Sequence, residues 1–91
     1  MTAKQVFYSG RVQGVGFRYT VKQIASGYEV TGFVRNLPDG RVELQAAARE
    51  ADELTDFLVA IDESNLGSLI KDRETHALPA PTGWRGFSIE K

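Results

Sequence analysis

The sequence predicts an α+β sandwich with elements in the order β-α-β-β-α-β and a short closing strand, and three observations carry that reading. Hydrophobic residues fill 42% of 91 positions, enough for one core and too few for two, so a single domain over residues 1–91 is expected. Runs of period two alternate with runs at helical spacing, with Gly and Pro between them. Cysteine is absent, so the fold must hold without disulfides, and thiolate zinc sites, iron–sulfur clusters and cysteine nucleophiles are excluded together.

A first strand is expected over Gln5–Ser9, followed by Gly10-Arg11-Val12-Gln13-Gly14-Val15-Gly16, too rich in glycine for regular structure. Phe17, Val21, Ile24 and Tyr28 then recur at i, i+4, i+7 and i+11, one face of a helix that stops at or just before Gly27. Val30–Leu37 reads as a second strand, and Leu37-Pro38-Asp39-Gly40 as a turn, with Pro fixing φ and Gly free to take positive φ. Val42, Leu44 and Ala46 alternate with Arg41, Glu43 and Gln45, which predicts a third strand with one wet face. Glu50, Asp52 and Glu53 put negative charge at the start of a second helix whose apolar stripe is Leu54, Phe57, Leu58 and Ile61; no residue there signals an N-cap. Ser68–Thr75 is expected to be a strand, Pro79 and Pro81 interrupt regular structure, and Phe87-Ser88-Ile89 closes the chain as a short strand. This order is the ferredoxin-like split βαβ arrangement: a sheet of four to five strands, antiparallel or mixed, with two helices on one face.

Eleven Lys and Arg stand against twelve Asp and Glu, a formal net charge of −1, so a nucleic-acid partner is not expected. Met1–Gln5 leads straight into the first strand without the apolar segment of a signal peptide, and no apolar run approaches about 18 residues. A cytoplasmic protein without membrane attachment, acting as a monomer, is the expectation.

A glycine-rich loop between a strand and a helix can turn successive N–H groups inward, and the helix start adds partial positive charge behind them. Arg18 sits in the first helical turn, and helical side chains lean towards the N-terminus, so its guanidinium is aimed back at the same concavity. If the first two strands are parallel across the first helix, their C-terminal ends share one edge of the sheet, which brings Asn36 to that rim. Arg11, within the loop, adds to the positive field there.

The loop matches neither G-x-x-x-x-G-K-[ST] nor G-x-G-x-x-G, which disfavours ATP and NAD. Without cysteine or paired carboxylates near the loop, covalent phosphoryl transfer and metal-assisted attack lack their groups. The substrate must then bring its own reactivity, as a mixed carboxylic–phosphoric anhydride does: its leaving carboxylate needs only positioning, charge stabilisation and an oriented water. Other residues read as ordinary. Asn36 alone would be a turn former; Arg35 and Arg41, like Arg11, are solvated; Phe33 and Trp84 are hydrophobes of core or rim; His76 has no partner at ligand spacing; Ser9 and Thr20 lack a base.

Gly10-Arg11-Val12-Gln13-Gly14-Val15-Gly16-Phe17-Arg18 resembles the first signature of the acylphosphatase family, and Gly32-Phe33-Val34-Arg35-Asn36, with Gly40 and Val42, resembles its second. The resemblance implies a small ferredoxin-like enzyme that hydrolyses acyl phosphates to carboxylate and inorganic phosphate, with no metal and no organic cofactor. It implies that the loop residues Arg11, Val12, Gln13, Gly14, Val15, Gly16 and Phe17 bind the phosphoryl group together with Arg18, that Asn36 positions the attacking water, and that the substrate's own phosphate assists as base. Tyr8 stands where the family usually has an aliphatic residue and Ala48 where its second signature ends in Gly; neither is expected to touch the anion site, and Ala48 would be strained at positive φ. The other reading is a non-catalytic ferredoxin-like module. Its RNA-binding form needs aromatics on the central strand, and Arg41–Ala46 has none; its small-anion-sensing form would bind phosphate without hydrolysing acyl phosphates.

Overall fold

The computed structural model describes residues 1–90. Strand β1 (Thr2–Gly10) runs into the glycine-rich loop, helix α1 (Phe17–Ala25) follows, and strands β2 (Val30–Asn36) and β3 (Val42–Ala48) form a hairpin. Helix α2 (Ala51–Glu63), a 3₁₀ turn (Asn65–Ser68), and strands β4 (Ile70–Leu78) and β5 (Phe87–Glu90) complete the chain. The sheet has five strands in the order β4-β1-β3-β2-β5; β5 is parallel to β2 and the other neighbours are antiparallel. Because β3 is antiparallel to both β1 and β2, those two strands are parallel, and their C-terminal ends meet at one edge.

Alternation along the strands decides which residues enter the core. Val6 and Tyr8 of β1 and Val42, Leu44, Ala46 and Ala48 of β3 face the helices and are buried. They meet Phe17, Val21 and Ala25 from α1 and Leu54, Phe57 and Ile61 from α2; of the expected stripes Ile24, Tyr28 and Leu58 are only partly buried, and Ala25 joins the face without having been expected there. Phe57 lies at the centre, with Tyr28 at 5.9 Å and Phe87 at 5.8 Å between ring centroids. Burying each such side chain contributes roughly 1.5–3 kcal/mol.

The sequence expectations for β1, β4 and the outward face of β3 need correction: β1 runs over Thr2–Gly10 rather than Gln5–Ser9. Ser68 belongs to the 3₁₀ turn, and β4 starts at Ile70 and runs to Leu78, because pairing with β1 continues up to Ala3↔Leu78. Ala48 lies in extended strand, paired with both Thr2 and Val30, and no non-glycine residue among those described has positive φ, so no strain arises there. The outward face of β3 is not wet. Glu43 is buried, its side chain 3% exposed, because central β3 is flanked by strands whose long side chains close over it.

Those side chains form a closed network around Glu43. Arg35 Nε donates to Oε1 at 2.6 Å, and the amides of Gln5 and Gln45 both donate to Oε2 at 2.7 Å, so one carboxylate ties β1, β2 and β3 together. Arg35 and Arg41 are therefore engaged rather than simply solvated: Arg35 also lies over Phe33 at 5.6 Å, while Arg41 pairs with Asp39 at 2.8 Å and covers Phe7 at 4.7 Å. Burial pushes the Glu43 carboxyl up, but the bonds from Gln45, Gln5 and Arg35 outweigh it and hold it below the ordinary carboxylate value. A lowered folded pKa means that the contribution is complete above the unfolded value, near 4.5, and is lost as pH falls through the folded one. Glu43→Gln puts an amide N–H against a donor and is expected to cost about 2 kcal/mol, a fall of roughly 10 °C in Tm at pH 7. The difference from the native protein should shrink below about pH 4, which a pH series of thermal melts checks.

Candidate active site

The loop between β1 and α1 is pinned at both ends. Arg11 N–H donates to the Leu69 carbonyl at 3.0 Å, and Val12 and Phe17 are buried on either side of the turn. Phe17 packs on Tyr8 with ring centroids 5.3 Å apart, so Tyr8 supports the loop through Phe17 while, as expected, it does not itself line the pocket. Burial pushes the Tyr8 phenol well above its ordinary value, reinforced by the Asp62 carboxylate and opposed by Arg73, so the ring stays neutral. Between the anchors, Gly14 and Gly16 take φ of 75° and 76°, where any side chain is disfavoured by about 1 kcal/mol or more although space is open around both.

Gly16 also starts α1. No side chain caps it, no acidic residue lies in the first turn, and the first helical bond runs from Thr20 N–H to the Gly16 carbonyl at 3.0 Å. None of the N–H groups from Gly14 to Tyr19 donates to another backbone group, so the loop and helix start present unpaired donors with the positive end of the helix behind them.

Arg18, in the first turn of α1, lines the same pocket as Gly14 and Gly16. One of its terminal nitrogens, Nη1, donates to the Glu90 carbonyl of β5 at 2.9 Å, which fixes the guanidinium and leaves its other N–H groups free for an oxyanion. Asn36, the last residue of β2, borders the same space, and its Oδ1 is buried with no partner among the described residues. An orphan buried acceptor costs about 1–3 kcal/mol, so its persistence beside an open pocket marks a place for an external donor. The pocket holds about 400 Å³ and is lined by Val12, Gly14, Gly16, Phe17, Arg18, Tyr19, Asn36 and Ile89.

Of the residues that the sequence assigned to this site, Arg18, Asn36, Val12, Gly14, Gly16 and Phe17 are brought together; Arg11, Gln13 and Val15 do not line the pocket. Arg11 and Val15 are exposed. Gln13 turns the other way, its amide donating at 2.8 Å to both the Leu37 and Arg41 carbonyls, and so bolts the loop to the hairpin immediately after Asn36. Tyr19 and Ile89 are additions: Tyr19 follows Arg18 but reads as a surface aromatic, and Ile89 reaches the pocket only through the pairing of β5 with β2. Gln13→Ala would free the loop from the hairpin, and is expected to lower kcat five- to twentyfold with a smaller change in KM. Steady-state kinetics on the variant checks it.

The pocket therefore offers a cationic fork, backbone donors and one amide, and its lining contains no carboxylate. His76 lies elsewhere, on β4, hydrogen-bonded to Glu74 and edge-on to Phe7. Among the described residues no group of three or more His, Asp or Glu side chains forms a metal-ligating cluster, and no helix is long and apolar enough to cross a membrane. The donor set suits a tetrahedral oxyanion.

Residues 4–89 match the Acylphosphatase family model. The chain belongs to the acylphosphatase family. It is 45% identical to the acylphosphatase of Methanospirillum hungatei, over 100% of this chain and 99% of that one. It is 41% identical to the acylphosphatase of Borrelia garinii subsp. bavariensis, over 98% of each. The crystal structure of acylphosphatase from Bacillus subtilis superposes with a TM-score of 0.89 at 34% identity, covering 100% of both chains. The fold is thus the ferredoxin-like α+β fold of the acylphosphatase family, and both signature segments of this chain, Gly10–Arg18 and Gly32–Asn36, reach the pocket.

Proposed function

We propose that this protein hydrolyses the carboxyl–phosphate bond of acyl phosphates, giving carboxylate and inorganic phosphate. The family and its acylphosphatase relatives support the reaction class, and one observation carries the assignment of roles: the unpartnered Asn36 Oδ1 beside an Arg18 guanidinium and a run of unpaired N–H groups. The N–H groups of Gly14–Phe17 and the Arg18 fork hold the phosphoryl oxygens and stabilise the charge that builds on them in the transition state. Asn36 Oδ1 accepts a hydrogen bond from a water and turns its lone pair towards phosphorus. The water oxygen bonds to phosphorus, the bridging P–O bond breaks with its electron pair on the carboxylate, and the water's proton passes to a phosphoryl oxygen. A carboxylate leaves without prior protonation, so the pocket needs no general acid. Val12, Phe17 and Gln13 hold the loop in shape; Arg11 contributes to the field and Val15 to the turn. The same reading takes the protein as one domain, cytoplasmic and monomeric, with elution at its single-chain mass of 10.0 kDa.

The test is phosphate release from benzoyl phosphate. Steady turnover that is unchanged by EDTA and competitively inhibited by inorganic phosphate is expected. Phosphate binding without hydrolysis of benzoyl or acetyl phosphate would instead make the protein an anion-binding module and overturn the assignment.

A further inference from the structure

The pocket around Arg18 does not end at the phosphate cradle. Tyr19 and Ile89 line it, and the same two residues line a second hollow of about 260 Å³ completed by Lys22, Gln23 and Ser26. Tyr19, Lys22 and Gln23 of α1 and Ser26 at its C-cap stand at i, i+3, i+4 and i+7, one outward strip of helix, with Ile89 of β5 opposite. The two hollows adjoin at Tyr19 and Ile89, and the surface they make runs from the cationic fork along the helix.

Its chemistry changes along its length. Tyr19 is 73% exposed, a flat apolar surface standing in water at the junction, with Ile89 facing the same space. Lys22 lies one turn beyond Arg18, about 6 Å along the helix axis, is exposed, and makes no ion pair among the described residues. Gln23 and Ser26 add polar groups at this far end. From Arg18 outward, the lining is first apolar and aromatic and then cationic.

We infer that the Tyr19–Ile89 junction and Lys22 form an acyl-group subsite, selective for acyl phosphates whose acyl part is an apolar body carrying an anionic group at its far end. The inference rests on the acyl phosphate reading of the Arg18 pocket. The ring of Tyr19 covers the apolar body, Ile89 backs it, and the flexible Lys22 side chain reaches the distal anion. Lys22 is solvent-exposed, so its effect should weaken with added salt, whereas that of Tyr19 should not.

Three substrates separate these parts: acetyl phosphate, benzoyl phosphate and 4-carboxybenzoyl phosphate, with kcat/KM measured for the native protein, Tyr19→Ala, Lys22→Ala and Lys22→Arg. Ratios between substrates, compared across variants, cancel their different intrinsic reactivities. In Tyr19→Ala the benzoyl-to-acetyl ratio should fall about tenfold. In Lys22→Ala the 4-carboxybenzoyl-to-benzoyl ratio should fall about fivefold, with Lys22→Arg restoring most of it and 0.5 M salt erasing the difference. Either ratio staying within twofold of the native value overturns the subsite. Failure of the reaction class shows differently: the native protein would release phosphate from none of the three. Both side chains are exposed, so the variants should fold normally.

Discussion

Arg18→Ala is expected to lower kcat/KM for benzoyl phosphate by about a thousandfold or more. Loss of a single neutral donor to a developing oxyanion costs on the order of 10²–10³ in rate, and Arg18 supplies several N–H groups together with a full charge. The structure limits the damage elsewhere. Arg18 makes one described hydrogen bond, from Nη1 to the Glu90 carbonyl, so its removal should cost about 0.5–1 kcal/mol and lower Tm by roughly 5 °C. Arg18→Lys keeps the charge but loses the planar fork, and should recover only a minor part of the activity. Kinetics on both variants, each checked by a thermal melt, separates the loss of the fork from loss of fold.

Asn36→Ala is expected to lower kcat about a hundredfold while KM stays within about threefold. In the proposed mechanism the amide acts on the water and the cradle holds the phosphate, so substrate binding should be largely kept while the attack loses its orientation. Its effect on stability has the opposite sign from that of most buried-site substitutions. Asn36 Oδ1 is a buried acceptor without a partner, and removing it relieves a desolvation cost of about 1–3 kcal/mol. The variant should therefore melt at the native temperature or a few degrees above it, a stabilisation gained at the expense of turnover. A marked fall in Tm together with a proportional loss of binding would show that Asn36 serves the fold instead.

Local spacing made much of the framework legible. Phe17, Val21 and Ile24 mark α1 because a helix of 3.6 residues per turn brings them to one face, and Val42, Leu44 and Ala46 mark β3 for the corresponding reason with period two. The burial of Glu43 was not legible, because it depends on Arg35 from β2 and Gln5 from β1, and no feature of the β3 segment announces which strands will flank it. The same holds for Gln13, whose partners are carbonyls of a hairpin more than twenty residues away in sequence. At the site, Arg18 and the loop glycines were legible from chemistry local to the strand–loop–helix junction, and Asn36 from the parallel relation of β1 and β2. Ile89 was not, since its place at the mouth depends on β5 pairing in parallel with β2 at Val34↔Ile89, and Tyr19 of α1 lies off the apolar stripe with nothing local to mark it. Tyr8 illustrates the other direction: as a residue unusual for its position it suggested no role, yet its ring supports Phe17 beneath the cradle.

The arrangement also explains how so small a domain can hold a preorganised pocket. The loop is fixed from four sides: by Leu69 through Arg11, by the core through Val12 and Phe17, by the hairpin through Gln13, and by β5 through Arg18. Each tether is modest alone, but together they hold the donors in place without a substrate, so little ordering cost falls on binding.

A titration with inorganic phosphate, followed through the backbone amide resonances of the ¹⁵N-labelled protein, tests the cradle most directly. Saturable shifts centred on Gly14, Val15, Gly16, Phe17 and Arg18, weakened at least tenfold in Arg18→Ala, are the result expected. Shifts centred anywhere else, or an affinity indifferent to the loss of the guanidinium, would contradict the account.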